Sequence, residues 1–275
     1  MKLMKKMIAA LTLTGLLAAS LGLSAFADDA ANVATLTEQQ VTKHLVMAES
    51  LDVPDAEFSF AVTAVTADAP AVTIGSISYS SADDKGTLST EGVYTVDKNA
   101  EITFGTFPHA GTYEYTVTET TGSAEGITYD STSYTMTVYV ANGSDGALAV
   151  QRIIVEADNG KQYELSFTNT YCKNGSLTIT KNTEGDLADK TKDFAFTITF
   201  IKSGTESDSV TSYTGKIGEE PIECTIGQET SFYLHDGESL VFDDLPVGTR
   251  YVVTEVAAAD GYTPSVSVIE NGVQT

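Results

Sequence analysis

There is no tryptophan in this 275-residue chain, and only two cysteines, three histidines and six prolines. So little Cys and His leaves scant material for a multi-metal or redox centre. Cations are scarce too: 15 Lys+Arg stand against 38 Asp+Glu, a net charge of −23. A nucleic-acid partner requires clustered cations against its phosphates, so this balance argues against one. It argues equally against docking on an anionic membrane. No G-x-S-x-G or H-E-x-x-H pattern occurs, which removes the commonest hydrolase signatures. What is present is 42% hydrophobic and 9% aromatic residues, enough for real cores. Abundant Thr, Val and Tyr with few prolines point to strands.

One apolar run stands out, and it is at the N-terminus. Lys2, Lys5 and Lys6 precede an apolar stretch from Met7 to Leu23, closed by Ala25-Phe26-Ala27. A basic start, a short apolar core and a small-x-small site make residues 1–27 a cleaved signal peptide. The mature chain is then expected to begin at Asp28, after export, with residues 28–36 as a short linker. No second apolar span follows, so no membrane insertion is expected after cleavage.

From about residue 57 the apolar period is two. Phe58, Phe60, Val62 and Ala64 share a face, as do Tyr113, Tyr115 and Val117. Tyr134, Met136, Val138 and Val140 form another set, and Phe194, Phe196, Ile198 and Phe200 a fourth. This alternation predicts half-buried antiparallel strands. Turn dipeptides punctuate them at Asn142-Gly143, Asp145-Gly146, Asn159-Gly160, Asp236-Gly237 and Asn271-Gly272. Short strands with frequent turns imply β-sandwiches. Around residue 40 the pattern is ambiguous. Thr37-Glu38-Gln39-Gln40 resembles a helix capping box, whereas a strand would align Val41, Lys43, Leu45 and Met47.

The chain repeats itself across a boundary near Tyr171-Cys172-Lys173-Asn174-Gly175. "VTKHLVMAES" has a counterpart in "LTITKNTEGD", and "FPHAGTYEYTVTET" in "LPVGTRYVVTEV". The spacing agrees as well: 76 residues separate Lys43 from Glu119, and 74 separate Lys181 from Glu255. Two tandem copies of one β-domain follow, over residues 37–171 and 172–275.

The repeat isolates polar groups at the ends of apolar faces. Lys43 lies on the face of Val41, Leu45 and Met47; Glu119 follows Tyr113, Tyr115 and Val117; Asn169 follows Leu165 and Phe167. In the second copy Lys181 shares a face with Leu177 and Ile179, and Glu255 with Tyr251 and Val253. Alternation points each of them inward. Burial lowers a Lys pKa and raises a Glu pKa, and a neutral Lys amine is a nucleophile. The residue pattern leaves two outcomes open: a Lys–Asn amide formed with loss of ammonia, or an ordinary buried Lys–Glu ion pair.

Taken together, "VTK" ending at Lys43, "YTVTE" ending at Glu119, "SFTN" ending at Asn169, "LTITK" ending at Lys181, "YVVTE" ending at Glu255 and "ITYDSTSYTMTVYV" over 127–140 resemble Gram-positive backbone pilins of the streptococcal T-antigen type. The resemblance covers the whole mature chain. It implies tandem Ig-like sandwiches, all-β, with intramolecular Lys–Asn isopeptide bonds promoted by a Glu. For this sequence that means a Lys43–Asn169 cross-link promoted by Glu119, and Lys181 with Glu255 as the second-domain equivalents. It also makes residues around Lys43 a strand. An Asn matching Asn169 in the second copy would fall beyond Thr275, so that domain is expected to be C-terminally incomplete, and the sorting signal of such a pilin would lie further on. The YPK motif of related pilins is missing.

The resemblance further implies a structural subunit of a covalent pilus, joined to other pilin subunits by a sortase and displayed on a Gram-positive cell wall. Lys161 then resembles the linking lysine, with Lys173 and Lys202 as rivals. The alternative is a minor pilin or wall-associated adhesin that binds a host or matrix ligand with the same domains; a secreted hydrolase would need a carboxylate pair or metal cluster. No enzyme beyond a single self-directed turnover, no cofactor and no metal are expected. His44, His109 and His235 lack ligand spacing, and Asp83-Asp84 and Asp243-Asp244 read as loop charges. Export permits a disulfide between Cys172 and Cys224, which the sequence leaves open.

Overall fold

The computed structural model describes residues 39–256, 261–270 and 273–274. The expected signal peptide and linker, and the Asn271-Gly272 turn, lie outside the described residues. Among the described residues there is no helix. Twelve strands build the first sandwich: β1 (Gln40–Ala48), β2 (Ala56–Phe58), β3 (Phe60–Ala64), β4 (Val72–Ile74), β5 (Ile77–Tyr79), β6 (Val93–Phe104), β7 (Gly111–Glu119), β8 (Ile127–Thr128), β9 (Ser133–Asn142), β10 (Leu148–Ala157), β11 (Gly160–Gln162) and β12 (Leu165–Tyr171). One sheet runs β4-β6-β1-β12-β8 and the facing sheet β11-β10-β9-β7-β3, with a small β2-β5 pair beside them.

Alternation explains which face each strand buries. Tyr113, Tyr115 and Val117 of β7 pack against Tyr134, Met136 and Val138 of β9 within one core with Val41, Leu165 and Phe167 of the facing sheet. Leu45 and Met47 of β1 enter a second cluster with Phe58, Ile77 and Tyr79. The ambiguity near residue 40 resolves as a strand. β1 has β6 antiparallel on one side and β12 parallel on the other, so its backbone groups are paired on both edges. That pairing outweighs a local capping signal, since strand preference is set by neighbours more than by intrinsic propensity.

The parallel β1–β12 pair joins the first strand of the domain to the last, with Lys43 opposite Phe167 and Leu45 opposite Asn169. β8 closes the far edge of β12 for only two residues, Thr128 opposite Thr170 and Ile127 opposite Tyr171. Gly126, just before β8, has φ +76 and would drive a Cβ into the Cys172 carbonyl, so only glycine admits this close approach. Beyond Thr128 the chain leaves this sheet and enters β9 of the other, crossing the gap between sheets over residues 129–132.

The second sandwich comprises β13 (Asn174–Thr180), β14 (Phe194–Ile201), β15 (Ser212–Ile217), β16 (Glu220–Thr225), β17 (Thr230–Leu234), β18 (Ser239–Pro246) and β19 (Arg250–Glu255), followed by a short β20 (Ile269–Glu270) and β21 (Val273–Gln274) pair. Its sheets run β13-β18-β15-β16 and β17-β14-β19. Phe194, Phe196, Ile198 and Phe200 line its core with Leu240 and Phe242. The pairing repeats that of the first domain: β13 lies antiparallel to β18 as β1 does to β6, and β14 to β19 as β3 does to β7. The protein is thus two tandem Ig-like sandwiches. Cys172 and Cys224 are both free thiols, the second in the core of the second sandwich.

Candidate cross-linking site

Lys43, Glu119 and Asn169 meet between the two sheets of the first sandwich. Each reaches it because a polar residue occupies an inward position of an otherwise apolar strand. Lys43 and Asn169 are fully buried and Glu119 is 6% exposed. Lys43 Nζ lies 3.2 Å from Glu119 Oε1, and Asn169 Nδ2 donates to the same oxygen at 3.0 Å. One carboxylate oxygen therefore sits between the amine and the carboxamide nitrogen. Lys43 Nζ also donates to the Phe167 carbonyl at 3.2 Å.

The orientation of the carboxamide is set by its surroundings. The backbone N–H of Asp130 donates to Asn169 Oδ1 at 2.7 Å, and also to Glu119 Oε2 at 3.1 Å. An amide oxygen must face a donor and an amide nitrogen an acceptor, so Oδ1 turns to Asp130 and Nδ2 to Glu119. Among the described residues, no buried side-chain polar atom lacks a partner.

Aromatic rings pack around the buried site. The Phe58 ring centroid is 4.9 Å from Lys43 Nζ, and Phe167 contacts Phe60 and Tyr134 at ring distances of 5.3 Å. Tyr79 donates its hydroxyl to the Lys43 carbonyl at 2.8 Å and holds β1 in place. Removal from water disfavours charge. Burial pushes the Lys43 amine below its ordinary value, against the attraction of Glu119 and Asp130. Burial likewise raises the Glu119 carboxyl, against Lys43 and its hydrogen bonds. Both shifts favour the neutral amine beside the protonated acid.

The second sandwich brings together both residues expected of it. Lys181 Nζ lies 2.9 Å and 3.1 Å from the two oxygens of Glu255, with side-chain exposures of 13% and 20%. The Phe194 ring covers Lys181 at 4.1 Å, as Phe58 covers Lys43. No asparagine accompanies this pair among the described residues. Lys161 is exposed on β11, opposite Glu156 and just after Gly160 at φ +104 in the hairpin turn. Of its rivals, Lys173 is exposed in the linker and Lys202 is paired with Asp208 at 2.9 Å. His44, His109 and His235 each face a carboxylate, Asp97, Asp68 and Glu238 respectively.

Sequence reading missed Asp130 and Phe58. Phe58 had a signal: it falls 15 residues after Lys43, and Phe194 falls 13 after Lys181. Asp130 had none in the repeat.

Residues 39–172 match a family described as "Spy0128-like isopeptide containing domain", and residues 175–275 match a domain of unknown function, DUF7601. A curated "Pilin" of Streptococcus pyogenes serotype M1 is 32% identical over 248 residues, 83% of this chain and 70% of that protein. The chain belongs to the streptococcal pilin family. "Pilus tip adhesin Cpa" of Streptococcus pyogenes is 43% identical to this pilin over 84 residues, 30% of the pilin and 12% of the adhesin. Among solved structures, the major pilin T3.2 of Streptococcus pyogenes covers 84% of this pilin and 86% of its own chain at 27% identity, with a TM-score of 0.44. The T-13 major pilin gives the same coverages at 26% identity and a TM-score of 0.42.

Proposed function

We propose that this pilin is a shaft subunit of a covalently polymerised cell-surface pilus, with its first sandwich tied by a self-formed bond between Lys43 and Asn169. The observation that carries the reading is the shared Glu119 oxygen, 3.2 Å from the Lys43 amine and 3.0 Å from the Asn169 amide nitrogen. Neutral Lys43 Nζ attacks the carboxamide carbon of Asn169. Glu119 passes the proton shed by the amine to Nδ2, the C–Nδ2 bond breaks, and ammonia leaves. The products are one secondary amide and one ammonia, and Glu119 is regenerated. The reaction occurs once per chain, so this is not enzymatic turnover.

A bond between adjacent first and last strands gives the fold its mechanical role. Tension entering β1 passes through the amide into β12 and does not unzip the β1–β12 ladder. Lys181 and Glu255 are the equivalent pair of the second domain, with the domains assigned as 37–171 and 172–275. Among the described residues they form an ion pair with no asparagine beside them. Export with removal of residues 1–27 would place the protein on the cell wall, where a sortase would join Lys161 to the next subunit. A wall-associated adhesin binding a host ligand is the second reading, favoured by the 84-residue likeness to a tip adhesin. That stretch covers little of the adhesin, so the shaft reading stands first.

Intact-mass measurement of the purified full chain tests the bond. Wild type should weigh one ammonia less than its sequence, and Glu119→Ala should restore the full sequence mass. A full uncrosslinked mass for folded wild type would return Lys43 and Glu119 to an ordinary buried pair.

A further inference from the structure

We infer that Asp130 is a positioning residue for bond formation: its carboxylate holds its own backbone N–H against the oxygen of Asn169 that must take up negative charge. The inference rests on the reading of Lys43, Glu119 and Asn169 given above and adds a fourth participant to it. When Lys43 Nζ adds to the carboxamide carbon, the C=O electrons move onto Oδ1. The Asp130 N–H, at 2.7 Å, is the donor aimed at that oxygen. A donor preorganised in a dry site, where charge develops, is among the larger contributions to such reactions.

The carboxylate explains why this N–H stays in place. Extending the β8–β12 register by two residues would set Asp130 opposite Thr168, but the chain is already turning toward β9 there. Asp130 Oδ2 instead accepts the Thr168 N–H at 2.7 Å, taking the place of the lost ladder partner. Its Oδ1 accepts the Thr132 N–H at 2.8 Å and fixes the turn. One side chain thus ties the crossing segment to the residue immediately before Asn169. The donor and the carbonyl it polarises are held in a common frame. A plain structural turn would need the Thr132 bond; the Thr168 bond serves only to fix the segment relative to β12.

Time-resolved intact mass of the full chain made by cell-free translation tests this. Asp130→Ala should slow ammonia loss about 10- to 100-fold, less than deleting a donor outright because the N–H remains but is untethered. Asp130→Asn keeps one acceptor oxygen and should recover part of the rate; it also carries the test if the alanine variant does not fold. A second readout uses the Lys43→Met background, which cannot cross-link. There the 13C signal of the Asn169 side-chain carbonyl should move upfield on Asp130→Ala as polarisation is lost. Cross-linking at the wild-type rate in these variants overturns the inference. So does slowing with an unmoved carbonyl signal, which would mean a merely structural role. Wild type at full sequence mass would instead defeat the bond reading itself, and is told apart because it needs no Asp130 variant.

Discussion

Asn169→Ala separates the covalent tie from the Lys43–Glu119 contact beneath it. The substitution removes the electrophile and leaves Lys43 and Glu119 3.2 Å apart. The Asp130 N–H keeps Glu119 Oε2 as an acceptor at 3.1 Å, so no buried donor is orphaned. What is lost is a cross-link closing nearly the whole first domain, from β1 to β12. By analogy with disulfides, closing a loop somewhat longer than about 100 residues restricts the unfolded chain by about 4–5 kcal/mol. For a domain of this size about 1 kcal/mol corresponds to about 4 °C in Tm, so the first-domain transition should fall by about 15–20 °C. Calorimetry of the full chain beside intact mass is the assay. A variant that differs from wild type by the substitution mass alone, or a transition within about 5 °C of wild type, would refute the covalent account.

Glu119→Ala should cost more than Asn169→Ala, since it also strands Lys43 in the core, a loss of about 3–5 kcal/mol for one partner of a buried pair. Its stability should depend on pH with a definite sign. Burial lowers the Lys43 pKa, and removing Glu119 takes away the main opposing attraction. The unfolded chain then binds more protons than the native one between the depressed pKa and the ordinary value of 10.5, so stability rises with pH through that window and levels off above it. Denaturant melts across pH check this, and a fall toward alkaline pH would contradict it. Lys161→Ala should abolish the ladder of high-mass polymers in cells carrying the cognate sortase while the monomer still folds; an unchanged ladder would move the linkage to another lysine. N-terminal sequencing of exported protein should begin at Asp28, and a start at Met1 would remove the signal peptide.

Much of this protein is legible without coordinates. Strand identity follows from period-two burial in segments such as Tyr113–Val117 and Tyr134–Val140, because a pleated strand sends alternate side chains to opposite faces. The tandem architecture follows from motifs repeated at nearly equal spacing. The inward positions of Lys43, Glu119 and Asn169 follow from the same alternation, as does the cost of leaving them unpaired. Tertiary structure decided what local pattern could not. Strand rather than helix at Lys43 depends on the β6 and β12 ladders, which come from residues far along the chain. The meeting of the three side chains depends on β1 and β12 lying side by side and on β7 facing them across the core. Asp130 is the clearest case. Its sequence context, Tyr129-Asp130-Ser131-Thr132, announces only a turn. Its role comes from the place where the chain crosses between sheets, which sets its N–H on Asn169 and its carboxylate on Thr168. Alternation within a strand is a local property of the backbone, whereas the contacts of a crossover are set by the two sheets it joins.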